Sequence, residues 1–203
     1  AYEIAVRLWP GSATSTFVEG LAEGDTLTVH GPAGSFRREP LIDGDDLLLI
    51  GAGMGVLPLV AMVREIAASG GLRRVVLIHA EAGDDDRPFH DELTALAADE
   101  NQGWFEYSHA AAPLEADAVA ALVGEDRDRT VYLSGVQAWV DAGLAALIDA
   151  DHPRQRVRTH APVIPGDITA QPGWPEGLDP ATEVTVTLAD GSTLSVKAGE
   201  PLG

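Results

Sequence analysis

Gly51-Ala52-Gly53-Met54-Gly55 is the stretch whose residue types and spacing best suit chemistry. It follows the apolar run Leu47-Leu48-Leu49-Ile50 and opens onto "VLPLVAMV", which is apolar at helical spacing with Pro58 near its start. Glycines at such a point permit a tight strand-to-helix turn and close approach of bare backbone, and the helix that follows offers its N–H groups to a pyrophosphate. A full dinucleotide fingerprint has Gly at the sixth position, where this chain has Val56. A tight turn with no ligand accounts for the same glycines, so the turn by itself leaves both readings open.

Two further positions join this candidate. Glu81 closes the next apolar strand, "RRVVLIHA", where a dinucleotide fold often sets a carboxylate on the adenosine ribose; an ordinary loop carboxylate is the alternative. Ala82 and Asp84-Asp85-Asp86 follow, and that negative charge disfavours a 2′-phosphate, so NADH is expected over NADPH, with Arg87 the nearby cation. Ser134-Gly135 ends a later strand, "TVYLSG". With no base beside Ser134 and no Gly-x-Ser-x-Gly elbow, a hydrolase is not supported, and no Tyr-x-x-x-Lys points to a classical dehydrogenase.

These positions need elements to hold them. From Asp46 the chain alternates apolar strands with helical patterns, counted as five strands and four helices between 46 and 150, which predicts a doubly wound parallel α/β sheet. In the helix over 57–68, Leu59, Val60, Val63, Ile66 and Ala67 share one face. Before it, "YEIAVRLW" and "DTLTVHGP" read as strands separated by a short helix. After it, the Pro- and Gly-rich stretch 162–181 reads as a linker, and 182–203 as two strands joined around Ala189-Asp190-Gly191. Phe36 and Trp139 are assigned to packing, and His90 to a solvated helix face.

Composition bounds the rest. The 203 residues, 45% apolar, suffice for a core, and zero Cys excludes disulfides, thiolate metal sites and a bound iron–sulfur cluster within the chain. Six His show no ligand spacing, so no metal site is expected. The 13 basic and 32 acidic residues give a net charge of −19, which repels nucleic acid and anionic membranes, so neither is an expected partner. No apolar run approaches the roughly 20 residues of a membrane helix, and a cytoplasmic location is expected.

Five segments in order resemble the ferredoxin reductase-like flavoproteins, the reductases of two-component oxygenases and of flavohaemoglobins. "PGSATSTFVEGL" is similar to that family's flavin-pyrophosphate segment, "VHGPAGSF" to the segment closing its flavin-binding β-barrel, and "LLLIGAGMGVLPLVAM" to its nicotinamide-binding turn. "DDDRPFHDEL" resembles the segment beside the adenosine, and "VYLSGVQAWV" the strand and turn facing the nicotinamide. The resemblance implies that residues 1–45 end a flavin-binding β-barrel, that 46–161 form an NAD-binding α/β domain, and that 182–203 begin a plant-type ferredoxin domain of a longer chain. It places Ser12, Ser15 and Thr16 at the phosphates of FAD or FMN, and Gly53, Met54, Gly55, Glu81, Ser134 and Gly135 around NADH. A [2Fe–2S] cluster is expected only in an extension beyond Gly203, and the implied partner is an electron acceptor, a ferredoxin or an oxygenase. Met54 and Leu57 stand where the family has Thr, Ser134 where it has Cys and Val136 where it has Pro. A degenerate pseudo-reductase acting as a binding or scaffold subunit is therefore the alternative to an active reductase module.

Overall fold

The computed structural model describes residues 3–8, 13–28, 34–81, 87–111, 115–123, 127–161, 177–187 and 193–198. The chain divides into two units, residues 30–162 and residues 1–29 with 163–203.

The larger unit is built on five parallel strands: β1 (Asp46–Ala52), β2 (Arg74–Glu81), β3 (Phe105–Ala111), β4 (Thr130–Ser134) and β5 (Val157–His160). They lie in the order β3-β2-β1-β4-β5, so the direction of winding reverses between β1 and β4. The fifth strand falls after the range 46–150 in which five are expected, because the helix Gln137–Asp149 (α6) runs unbroken to Asp149 and a short turn follows it.

Strand β1 shows why the fold closes. Buried on both faces, it is apolar throughout, as a central parallel strand must be. Leu47 and Leu49 pack with Val56, Leu59, Val63 and Ile66 of α3 (Val56–Ala68) and Leu93 of α4 (His90–Ala98). Leu48 and Ile50 pack the other way, with Val119 and Val123 of α5 (Ala116–Val123) and Val140 and Leu147 of α6 (Gln137–Asp149). The period of two in the strand thus feeds helices on both sides. Of the face predicted for α3, Ala67 alone is only half-buried.

A short helix, α2 (Pro40–Asp43), precedes β1 and anchors it through a buried carboxylate. Asp43 accepts hydrogen bonds from the backbone N–H of Glu39 and the hydroxyl of Tyr132, and pairs with Arg158 at 3.0 Å. Every oxygen of this buried group is therefore partnered, which offsets the cost of desolvating it. Asp46, at the start of β1, meets buried Arg129 at 2.8 Å and exposed Arg73 at 3.0 Å.

The smaller unit contains α1 (Ala13–Glu19) and an antiparallel hairpin, β6 (Glu183–Thr187) with β7 (Thr193–Lys197), in the register Glu183 to Lys197. The hairpin is as the sequence predicts, with its turn outside the described residues. The strands expected from "YEIAVRLW" and "DTLTVHGP" are not formed over residues 3–8 and 25–28. Ile4, Val6 and Leu8 alternate as a strand's would, yet all three are exposed. Alternation supplies a face for a strand but no ladder partner, and an unpaired strand has no stability in water. Trp9, the linker over 162–176 and Ser12 lie outside the described residues.

Candidate functional site

The register of the sheet brings one row of residues together near its carboxyl edge. His109, His79, Gly51, Ser134 and His160 are paired in sequence across β3, β2, β1, β4 and β5. Residues in register project to the same face of a parallel sheet, here the face covered by α3. Gly51 leaves the centre of this row bare, and the chain folds back over it: a Cβ there would lie 2.7 Å from the Cα of Val56.

The turn Gly53–Gly55 is one turn of 3₁₀ helix leading directly into α3. Gly53 has φ +55°, a left-handed conformation that glycine adopts without penalty. At Gly55 the reason for glycine is space, since a Cβ would run into the Ser134 carbonyl group and lie 2.7 Å from the nitrogen of Gly135. Gly135 is constrained in turn, by Ala52 at 2.9 Å and Trp139 at 3.1 Å from its would-be Cβ. The two turns singled out in the sequence therefore touch, at the point where the winding of the sheet reverses. That is where open α/β sheets bind their ligands.

Glu81, at the end of β2, completes the group, with a carboxylate oxygen 3.1 Å from the position a Gly53 Cβ would take. Met54 is half-buried within the turn. Ser134 is wholly buried, its hydroxyl 3.3 Å from Nδ1 of His160. Ser15 and Thr16 lie in α1 of the smaller unit, Ser15 buried and Thr16 exposed. Ala82 and Asp84 to Asp86 lie outside the described residues.

Several residues here are invisible to sequence reasoning. His79 is fully buried and its Nε2 is 3.2 Å from the carbonyl of Gly53, so its neutral form donates to the glycine turn. Burial pushes its pKa below the ordinary value, while its Nδ1 has no hydrogen-bond partner among the described residues. Beside the crevice, a cavity of about 670 Å³ is lined by Phe36, Arg37, Pro58, Thr159 and His160 among others. Phe36 and His160 stack with centroids 4.9 Å apart, and Tyr132 meets Phe36 edge-on at 5.5 Å. The Tyr132 hydroxyl, whose proton goes to Asp43, also lies 3.2 Å from the carbonyl oxygen of Arg37, and burial together with Asp43 raises its pKa. Counting the fifth strand in register with the fourth would have brought His160 beside Ser134. His90 departs from its assignment to a solvated face: it is half-buried, with Nδ1 3.0 Å from the hydroxyl of Tyr107 on the neighbouring edge strand.

Three features fit a dinucleotide: bare glycine backbone at a helix start, a carboxylate at the end of the adjacent strand, and turns in van der Waals contact at the reversal point. Among the described residues, no group of three His, Asp or Glu side chains is arranged to hold a metal ion, and no helix is long and apolar enough to cross a membrane.

Comparison with known proteins agrees with this geometry. The ferredoxin reductase component of a 3-ketosteroid-9-alpha-monooxygenase from Rhodococcus rhodochrous is 32% identical over 162 residues, covering 77% of this chain and 44% of that protein. A cytochrome P450 reductase from Amycolatopsis, GcoB, superposes with a TM-score of 0.62 at 28% identity, over 77% of this chain and 51% of its own. The fold is shared with a ferredoxin NADP+ reductase from Neisseria gonorrhoeae, whose structure holds FAD and NADP: TM-score 0.60, 18% identity, 76% of this chain and 71% of that one. No family model matches the sequence. The chain spans less than half the length of the curated relatives it first matches. Its homologues and structural neighbours are ferredoxin reductase-like flavoprotein reductases. The parallel α/β sheet corresponds to the NAD-binding domain of that family.

Proposed function

We propose that this chain is an electron-transfer oxidoreductase module that passes reducing equivalents from NADH, by way of bound FAD or FMN, to an iron–sulfur domain or an oxygenase partner in the cytoplasm. The observation that carries the reading is the contact between the Gly53–Gly55 turn and Ser134-Gly135, in a chain whose relatives are oxygenase reductase components.

A reduced nicotinamide supplies a hydride, and a flavin receives it and hands electrons on singly; the protein's share is binding and orientation. Gly53, Met54 and Gly55 present backbone to a pyrophosphate at the start of α3, where the partial positive charge of the helix end favours an anion. Glu81 accepts from a ribose hydroxyl and repels a 2′-phosphate. Ser134 and Gly135 form the opposing wall, and Ser12, Ser15 and Thr16 are assigned to the flavin phosphate through the resemblance of their segment.

One observation favours a second reading, a pseudo-reductase that keeps the fold as a binding subunit. Ser134, at the family's Cys position, is fully buried and directs its hydroxyl to His160. A visible spectrum of the flavin-loaded protein distinguishes the two. Bleaching of the flavin bands by NADH supports the reductase, and flavin bands that NADH leaves unchanged support the pseudo-reductase.

A further inference from the structure

The cavity beside the crevice has a wall that the nicotinamide assignment does not use. His160 stacks on Phe36 at 4.9 Å with 24° between the rings, and the backbone N–H of Gly135 donates to the His160 carbonyl at 3.1 Å, so both ring and backbone are held. Pro58, in the first turn of α3, ties the cavity to the glycine turn three residues before it.

Hydrogen-bond accounting fixes the tautomer of this histidine. Ser134 is wholly buried, and Nδ1 of His160 is the acceptor within reach of its hydroxyl among the described residues. If Nδ1–H donated to Ser134 instead, the serine proton would be buried without an acceptor, the costlier arrangement. Ser134 Oγ–H therefore donates to Nδ1, and the ring is neutral, in keeping with a pKa held below its ordinary value by burial. Nε2 then carries the proton and is left as the outward donor of a half-buried ring.

We infer that His160 is a specificity-determining residue of this cavity, whose Nε2–H donates to the carbonyl of a planar heteroaromatic ring, the carboxamide of a nicotinamide, with Ser134 as the positioning residue that sets its tautomer. The inference rests on the proposed function for the identity of the ring. The Ser134–His160 pair itself rests on the geometry alone. A carboxamide offers the acceptor that an Nε2–H requires, and the stacked Phe36–His160 pair supplies a flat apolar wall of matching shape.

The test uses the 203-residue chain. Nitrogen-15 NMR of the histidine ring should show the Nε2–H tautomer, and Ser134→Ala should give a mixture of tautomers. An Nδ1–H ring in the parent overturns the assignment. Titration with reduced nicotinamide mononucleotide should show about tenfold weaker binding for His160→Phe, which keeps the stacking but loses the donor. His160→Gln, which restores an N–H at similar reach, should bind within about threefold of the parent. Equal binding by the parent and His160→Phe overturns this inference and leaves the proposed function standing. A parent that binds no nicotinamide sinks the proposed function and the ligand named here, while the tautomer result is read independently. Loss of FMN binding in His160→Phe with nicotinamide binding unchanged would give the donor to the flavin carbonyl and overturn the choice of ring.

Discussion

Gly55→Ala tests the convergence of the two turns most directly, because the backbone at Gly55 is ordinary and the penalty is entirely steric. Its φ of −62° and ψ of −13° suit alanine as well as glycine. The added methyl would meet the Ser134 carbonyl and, at 2.7 Å, the nitrogen of Gly135. Restoring a contact of about 3.5 Å to that nitrogen alone requires the β1 and β4 turns to part by roughly 0.8 Å, and the closer Ser134 carbonyl requires more. Both sides are backbone, a 3₁₀ turn against the end of β4, so no side chain can rotate away, and the cost falls at the upper end of overpacking, about 3 kcal/mol. For a chain of this size that corresponds to a melting temperature lower by roughly 6–12 °C in scanning calorimetry. Gly103→Ala is the control: nothing lies within 4 Å of its would-be Cβ and its φ is −58°, so the variant should melt with or slightly above the parent. NADH titration of Gly55→Ala should show weakened binding as well. A Gly55→Ala protein melting within about 1 °C of the control would mean the turns are not in contact, and the reasoning from them would fail.

Three further outcomes are expected. NADH should bind more tightly than NADPH, and Glu81→Ala should narrow the difference by weakening NADH, on the order of tenfold by fluorescence titration; tighter NADPH binding by the parent would refute the charge argument. Arg129→Met strands the buried carboxylate of Asp46 with exposed Arg73 alone and should cost about 3 kcal/mol in urea unfolding, whereas pairing it with Asp46→Leu should recover most of that loss. His79 is held neutral by burial, so between its folded pKa and about 6.5 the unfolded chain binds a proton that the folded chain does not. Its contribution is complete above about pH 6.5 and lost as pH falls, so the decline of stability in acid should be shallower in His79→Leu than in the parent.

The sheet was legible because its signals are local. An apolar run bounded by glycines and a helix repeating at three and four residues specify β1 and α3 without knowledge of anything else. The hairpin was legible for the same reason. Long-range pairings were not: Asp43 under Tyr132 and His160 beside Ser134 depend on strand register, which no local pattern sets. The sequence assigns Phe36 to packing, and it does pack, against the core and also against the histidine that lines the cavity. The glycine turn and Ser134-Gly135 could each be named from their sequence, while their contact required the order of β1 and β4 in the sheet.

The anchoring of residues 34–45 bears on how such a module could be recombined with others. Phe36 packs into the α3 side of the core, Arg38 pairs with Glu65 of α3 at 3.0 Å, and Asp43 is tied to Tyr132 and Arg158 on the last two strands. A chimera joined at 45/46 would keep every strand yet replace one wall of the cavity and empty the partner site of buried Tyr132 and half-buried Arg158. The same graft joined ahead of Gly34 would carry its own wall with it. For this chain the natural seam for transplanting the sheet lies a dozen residues before the first strand.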